Sequence, residues 1–582
     1  MSRKDNDSKM GRKHLFKALS GHIGEAAITL LFATIASLSA VFATLVIGWA
    51  IDCATGPGNV DYVALLRNLI LLGVLYLLSA VFTWLVAIFA NRIAFGVSRD
   101  LRGQVFEKLG RLPLSFFDQN PHGDIISRFT NDLDSVSDAL SLGLVSLFTG
   151  IVTVLSALAL MLSLSWRITL VILLVTPLCF AAAWLVAHLS QTTFRKQQDV
   201  VGEMSAYVSE MVGNQKIVKA FGYEEESAKR FGIINQVLKK TGTNAQFASA
   251  MINPSTRFVD NLSSMLLGIV GGFTAIAGGV SVGVVSSFLI FSGQFSKPFN
   301  EFSGIMTNIQ TALASLERIH GILSLPEETP DSPDAAELES PKGEVAFKDV
   351  DFSYSKDREL IKGLTLQAKP GNLIAIVGPT GAGKTTIVNL LMRFYEIDAG
   401  AITVDGGNIT AVTRDSLRRS FGMVLQETWL FRGTIRENIA YGRPDATQEE
   451  IESAARFSHA HSFIKRMAKG YDTMLDEDGG NLSQGQKQLL TIARVMLTNP
   501  SMLILDEATS SIDTLTEIRV QRAFLKMMQG RTSFVIAHRL STIVSADLIL
   551  VLDKGKIVET GTHRQLLDKN GFYAELYRSQ FE

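Results

Sequence analysis

The chain has 582 residues, with Lys+Arg 55 against Asp+Glu 56, so its net charge is close to zero and no global basic excess points to nucleic acid. Hydrophobic residues make up 47%, which suits a chain that is part lipid-facing and part water-facing. Its two cysteines, Cys53 and Cys179, lie on separate apolar segments without metal-ligand spacing; they exclude a disulfide framework or a cysteine zinc site and read as packing residues.

The first twenty residues are polar and basic, and the apolar run from Ala26 to Ala50 that follows is too long for a signal-peptide core. It predicts a first membrane helix, because about 20 apolar residues cross the hydrocarbon layer. Further apolar stretches at Leu69–Ala90, Leu142–Leu164, Ile168–His188, Val259–Ala277 and Val282–Phe299 bring the expected count to six spans. The last two are rich in Gly and Ser, which suits close helix packing or a polar cavity. Asn308 and Gln310 after the sixth span add polarity, and no charge cluster is expected among the spans.

Lys and Arg concentrate in the N-terminus, in Asn91–Asp138 and in Gln191–Asn253, while the intervening loops Asp52–Tyr62, Ser165–Arg167 and Gly278–Ser281 nearly lack them. The positive-inside rule therefore places both termini and both long segments in the cytoplasm. Those segments lack breakers and read as helical extensions of the spans.

From Pro326 to Pro333 the chain is rich in Pro and acid, so residues 326–342 read as a linker between a membrane domain (1–325) and a soluble domain (343–582). Beyond Gly343, β-branched runs alternate with helical patterns, as expected of an α/β domain. The expected fold is thus a six-span α-helical membrane domain followed by an α/β P-loop ATPase domain.

Gly378, Pro379, Thr380, Gly381, Ala382, Gly383, Lys384 and Thr385 fit G-x-x-x-x-G-K-[ST], between the strand-like Leu373–Val377 and a helical pattern that continues through Thr386. Glycines let backbone N–H groups turn inward around phosphates, and the helix N-terminus adds positive potential. Lys384 is expected to reach the β- and γ-phosphates of ATP and Thr385 to ligate Mg²⁺. The apolar run Met502–Leu505 delivers Asp506, a second Mg²⁺ ligand, and Glu507, a carboxylate able to polarise the attacking water. To this point the residues define a P-loop NTPase, and helicases, kinases and transport ATPases all remain open.

Asn481-Leu-Ser-Gln-Gly-Gln486, about twenty residues before Asp506, resembles the LSGGQ signature of the ABC ATPases. Tyr354, Gln426, Asp513 and His538 match, in order, the family's A-loop aromatic, Q-loop, D-loop and switch histidine. The whole chain is similar to an ABC exporter half-transporter, six spans followed by one cassette. The resemblance implies that Tyr354 stacks on adenine and that Gln426 stands at the Mg²⁺ and the attacking water. It implies that His538 holds the γ-phosphate or that water. It further implies that Ser483, Gln484, Gly485 and Gln486, with Asp513, close over ATP bound to the phosphate loop of another cassette, so that a dimer is required.

Gln484 departs from the family's second signature glycine, while Glu507 and His538 are retained. This combination is similar to the catalytic-glutamate subunit of bacterial heterodimeric multidrug exporters. It implies a different half-transporter as partner, one with an intact LSGGQ and no catalytic glutamate; a homodimer is the alternative. The implied activity is ATP-driven export or flipping of amphipathic drugs or lipids across the bacterial cytoplasmic membrane, with no nucleic-acid partner. A soluble-type ABC ATPase is disfavoured by the spans, and an ATP-gated channel by Glu507 and His538. By family analogy the cytoplasmic loops dock through Arg128–Asp134 and Ala220–Glu225.

Overall fold

The computed structural model describes residues 21–54, 60–355, 360–426, 428–506, 512–537 and 540–581. The chain divides into two compact units: Met1–Arg111 with Asn120–Leu325, and Leu112–Gln119 with Pro326–Glu582.

The first unit is helical. Its long helices are α1 (Ile23–Asp52) and α2 (Tyr62–Leu109), then, after α3 (Leu114–Gln119) of the other unit, α4 (Leu133–Leu164), α5 (Trp166–Gly213), α6 (Glu224–Ala250), α7 (Ile252–Ile276) and α8 (Val282–Leu323). Asp61 starts α2 by accepting hydrogen bonds from the Val63 and Ala64 amides at 3.1 and 3.0 Å, and Ser281 starts α8 through the Val284 amide at 3.2 Å. Four stretches among the described residues are helical, long and apolar enough to cross a membrane: Ile23–Asp52, Tyr62–Leu109, His122–Leu164 and Arg257–Ile276. The two remaining expected spans fall on α5 and α8, helices of 48 and 42 residues. Within α5 the side chain of Cys179 lies outside the described residues.

Small and hydroxylated residues set the helix spacing. At Gly48 of α1 a Cβ would lie 2.6 Å from the Gly283 carbonyl oxygen of α8, so backbone meets backbone at this crossing. Nearby, the Ser287 hydroxyl donates to the Thr44 carbonyl at 3.1 Å and the Gln294 amide to the Thr44 hydroxyl at 2.9 Å. Asp260, Lys297 and Glu301 line one cleft of about 390 Å³, with Lys297 Nζ 3.8 Å from Glu301 Oε1. Three charged residues thus share one cleft between α7 and α8. Lys297 and Glu301 stand one turn apart on α8, and Asp260 joins them only because α7 packs on α8.

The expected docking tip at Arg128–Asp134 is also corrected. Arg128–Asp132 forms a π-helical turn inside the helical unit, and the buried Asp132 carboxylate is held by Arg318 and by the Ser315 hydroxyl at 2.9 Å. The part of this loop that joins the second unit is Leu112–Gln119. There the Tyr395 hydroxyl donates to the Asp118 carboxylate, and burial together with that carboxylate pushes the phenol above its ordinary pKa. In the other expected tip, Ala220–Glu225, Phe221 and Tyr223 are exposed.

The second unit is an α/β domain. Its elements include β1 (Val345–Phe352), β2 (Ile361–Ala368), β3 (Leu373–Val377), α9 (Lys384–Leu391), β4 (Ala399–Val404), β5 (Gly407–Asn408), α10 (Arg414–Arg419), β6 (Phe421–Val424), β7 (Gly433–Thr434) and β8 (Met474–Leu475). They continue with α11 (Gln484–Thr498), β9 (Met502–Asp506), α12 (Thr514–Met528), β10 (Thr532–Ile536), β11 (Leu548–Asp553) and β12 (Lys556–Gly561). One sheet runs β2-β1-β4-β5, the other β12-β11-β3-β10-β9-β6, with β11, β3, β10, β9 and β6 parallel. Strand β10 is buried at all five positions and β3 at four of five, the continuous burial of a parallel sheet covered on both faces. Two apolar cores, one on each side, fix the sheet rigidly enough to carry a site at its carboxyl edge.

Candidate active site

Strand register builds the site. Ile536 of β10 pairs with Ile376 of β3 on one side and with Asp506 of β9 on the other, so the ends of β3 and β9 stand one strand apart. The phosphate loop leaves the first and Asp506 closes the second. At Gly378 a side chain would place Cβ 2.2 Å from the Leu552 carbonyl oxygen, so only glycine permits the loop to pass the end of β11. The loop ends with Gly383 as the N-cap of α9, which presents that helix's free N–H groups to the loop interior.

Lys384 Nζ donates to the carbonyls of Gly378 and Pro379 at 2.7 and 3.0 Å, which holds the ammonium under the loop. Burial lowers its pKa, and the nearby Asp506 carboxylate opposes that shift. Thr380, Gly381, Gly383, Lys384, Thr385, Thr386, Gln426 and Asp506 line one open cleft of about 420 Å³. One ammonium, a helix N-terminus and turned-in amides make the cleft receptive to phosphates. The Thr385 hydroxyl, the Gln426 amide oxygen and the Asp506 carboxylate form an all-oxygen donor set of the kind a small hard cation such as Mg²⁺ takes.

Tyr354 is placed beside α9: its hydroxyl donates to the Thr386 hydroxyl at 3.3 Å and accepts from the Asn389 amide at 3.3 Å. Phe352 and Tyr395 abut its ring edge-to-face, each with centroids 4.9 Å away. Tyr354 is 44% exposed, which leaves it surface for stacking.

The signature residues do not line this cleft. Ser483 starts α11 with its hydroxyl accepting from the Gln486 amide N–H at 3.3 Å, and Gln486 Oε1 accepts from the Ser483 N–H at 3.0 Å. A Cβ at Gly485 would stand 2.3 Å from Thr516 Cγ2, so α11 packs tightly against the first turn of α12. Gln484 Nε2 donates to the Thr428 hydroxyl at 3.2 Å. Asp513 caps α12 through the Thr516 amide at 2.9 Å, and that hydrogen bond holds its carboxyl below the ordinary carboxylate range. Glu507 and His538 lie outside the described residues; β9 ends at the residue before Glu507, and β10 ends two residues before His538.

One supporting group carried no sequence signal. Arg494 of α11 donates to the carbonyls of Asn438 and Trp429 at 2.9 and 3.2 Å and to Asn438 Oδ1 at 3.2 Å. Its guanidinium stands over the Trp429 and Tyr441 rings, and burial lowers its pKa. The arginine thereby ties the segment after Gln426 to the helix that begins at the signature. An arginine in a helical pattern gives no hint of so remote a set of partners.

Comparison with known proteins agrees with this arrangement. The family of the ABC transporter transmembrane region matches residues 26–299, and the ABC transporter family matches residues 361–510. A fatty acid ABC transporter ATP-binding/permease protein of Mycobacterium bovis is 43% identical over 524 residues, 90% of this chain and 83% of that one. An ATP-dependent lipid A-core flippase of Syntrophus aciditrophicus is 35% identical, over 87% of this chain and 84% of its own. The structure of a bacterial Atm1-family ABC exporter with ATP bound superposes with a TM-score of 0.78 at 29% identity, covering 97% of this chain and 99% of that chain. The chain belongs to the ABC transporter family, as an ATP-hydrolysing half-transporter of the exporter type with membrane domain and ATPase domain in one polypeptide.

Proposed function

We propose that this chain is one half of a dimeric exporter that moves amphipathic lipids or drugs across the bacterial cytoplasmic membrane by alternating access. Its membrane domain is residues 1–325 with six spans, and its ATPase domain is residues 343–582. The observation that carries the reading is the division of the ATPase surface: the phosphate cleft gathers Lys384, Thr385, Gln426 and Asp506, while Ser483–Gln486 stand off it. Each cassette then offers one face that binds ATP and another that can close over ATP held elsewhere.

In this reading Tyr354 stacks on adenine. Lys384 offsets the phosphate charge, the amides of Gly381 and Gly383 donate hydrogen bonds to the phosphates, and Thr385, Gln426 and Asp506 would hold Mg²⁺. The ion, when bound, supplies charge for the leaving phosphate. Glu507 takes the proton of the attacking water, and His538 keeps that water and the γ-phosphate in line. The N–H groups at the start of α11, around Ser483 and Gly485, donate to the γ-phosphate of the partner's ATP. ATP shifts the pair to the closed state only because it binds that state better.

The cargo class is supported by relatives named for fatty acids and for lipid A-core, and by one named as a putative multidrug export ATP-binding/permease protein. Gln484 in the signature favours a different half-transporter as partner, with Glu507 marking this chain's phosphate cleft as the hydrolysing one. The test is ATP-driven uptake of a fluorescent amphiphile into sealed inside-out vesicles. Glu507→Gln is expected to abolish uptake and retain ATP binding, whereas uptake that survives the substitution would overturn the reading.

A further inference from the structure

The segment that continues the last membrane helix is not slack. Its Pro- and acid-rich sequence reads as a spacer, yet residues 326–342 are pinned to the ATPase unit. The Ala336 amide donates to the Ala411 carbonyl at 3.0 Å, the Thr413 amide to the Ala336 carbonyl at 3.0 Å, and the Leu338 amide to the Ser416 hydroxyl at 3.0 Å.

Upstream of these bonds lies a charge clasp. Glu328 accepts from Arg418 Nη2 at 2.5 Å and lies 3.5 Å from Arg414 Nε. Asp331 accepts from the Arg414 amide at 2.9 Å, from Arg414 Nη1 at 2.7 Å and from Arg393 Nη1 at 3.3 Å. Glu396 completes the balance, accepting from Arg414 Nη2 at 2.5 Å and from Arg393 Nε at 3.1 Å. Three carboxylates thus face three guanidiniums, and the side chains of Arg393 and Arg414 are only 5% and 8% exposed. Buried charges held by several hydrogen bonds fix one geometry, because a displaced partner leaves an uncompensated ion.

What the clasp grips is the far end of the phosphate-loop helix. Arg418 also donates to the carbonyls of Met392 and Arg393 at 3.3 and 3.1 Å, and these carbonyls directly follow α9. A cation on the carbonyl end of a helix is held by its free acceptors and its dipole. Between Leu323, the last residue of α8, and Glu328 only four residues intervene.

We infer that Glu328 and Asp331 couple the membrane helices to the ATPase domain without taking part in hydrolysis: through Arg393, Arg414 and Arg418 they tie the continuation of α8 to the carboxyl end of α9. Force between the membrane helices and the phosphate loop then passes along the chain itself. The inference rests on the transporter reading, and its test separates the two.

The test uses full-length protein in nanodiscs, with Cys53→Ala and Cys179→Ala as background. Spin labels sit at Tyr62→Cys and Ile276→Cys, both exposed residues at the ends of helical-unit segments. Their distance is measured without nucleotide and after trapping with ATP and vanadate, and ATPase activity is measured in parallel. A four-residue Gly-Ser insertion after Leu325 puts slack on the membrane side of the clasp; the same insertion after Pro333 leaves that side intact.

Wild type and the insertion after Pro333 are expected to shift the distance on trapping. The insertion after Leu325, and the double variant Glu328→Gln with Asp331→Asn, are expected to lose more than half of that shift while ATPase activity stays within about threefold. Glu328→Asp, which keeps the charge, is expected to retain the shift, so a misfolded Gln variant does not decide the matter. Equal shifts in all variants would overturn the clasp and leave the transporter reading standing. A wild type that hydrolyses ATP without any shift would overturn both.

Discussion

The two faces of the ATPase domain are built in opposite ways. On the phosphate-loop face the polar groups converge on a cleft: Lys384 is drawn under its own loop, and Thr385, Gln426 and Asp506 line the same space. On the signature face the polar groups are satisfied locally, Ser483 by Gln486, Asp513 by Thr516, and Gln484 by Thr428. The first face concentrates charge where a ligand's phosphates go. The second presents a well-capped helix start, already complete as structure, that gains work only when something is brought to it. The contrast teaches that a motif set complete in sequence need not be one site in space.

The largest expected effect comes from breaking the phosphate face. Lys384→Ala removes its one ammonium and should lower kcat/KM by roughly two to three orders of magnitude, read by steady-state ATPase assay, a loss typical of deleting a preorganised charge donor. Gly378→Ala should do as much while also lowering the melting temperature, since its Cβ would overlap the Leu552 carbonyl.

A smaller loss is expected at the adenine end. Tyr354→Ala should raise KM for ATP about tenfold with kcat little changed, because stacking contributes roughly 1–1.5 kcal/mol to ground-state and transition-state binding alike. Tyr354→Phe, which keeps the ring but loses the Thr386 and Asn389 contacts, should lie between wild type and Ala.

How much of this was legible in sequence follows from the distance over which each feature is built. The phosphate loop, Asp506 and the signature are contiguous motifs with a fixed strand or helix context, so reading along the chain finds them. Arg494, Tyr395 and the arginines facing Glu328 and Asp331 gain their roles from partners tens of residues away or more, and no local pattern announces them. The docking segment escapes a reading along the chain for the same reason. Phe129 and Asp132 look like an aromatic and acidic loop tip, but Phe129 packs with the helical core and Asp132 is committed to Arg318, whereas Leu112–Gln119 carries no such flag. In the membrane unit, four helices meet the criteria for a span by length and apolarity among the described residues, while Gly- and Ser-rich α8 trades hydropathy for close packing.

The signature face gives the subtler predictions. Gln484→Gly should leave ATP binding at this chain's own phosphate loop unchanged, measured by equilibrium binding of a fluorescent nucleotide, and should raise turnover at the site this signature covers. The smallest effect concerns Asp513. Its folded pKa lies below the ordinary 3.8, so its contribution to stability is present above that value and is lost as pH falls through the folded pKa. Asp513→Asn keeps a capping oxygen but no charge, and its melting temperature should therefore fall less steeply than wild type's in that acid window.

The central claim is that this chain's phosphate face is finished only by a signature from a second chain. Nanodiscs that hold one copy of a half-transporter, compared with nanodiscs that hold two, test it directly by ATP binding and by phosphate release per chain. Single-chain discs should bind ATP and release almost no phosphate, while two-chain discs, with a second copy or a different half-transporter, should hydrolyse it. Equal hydrolysis per chain in single-chain discs would contradict the account.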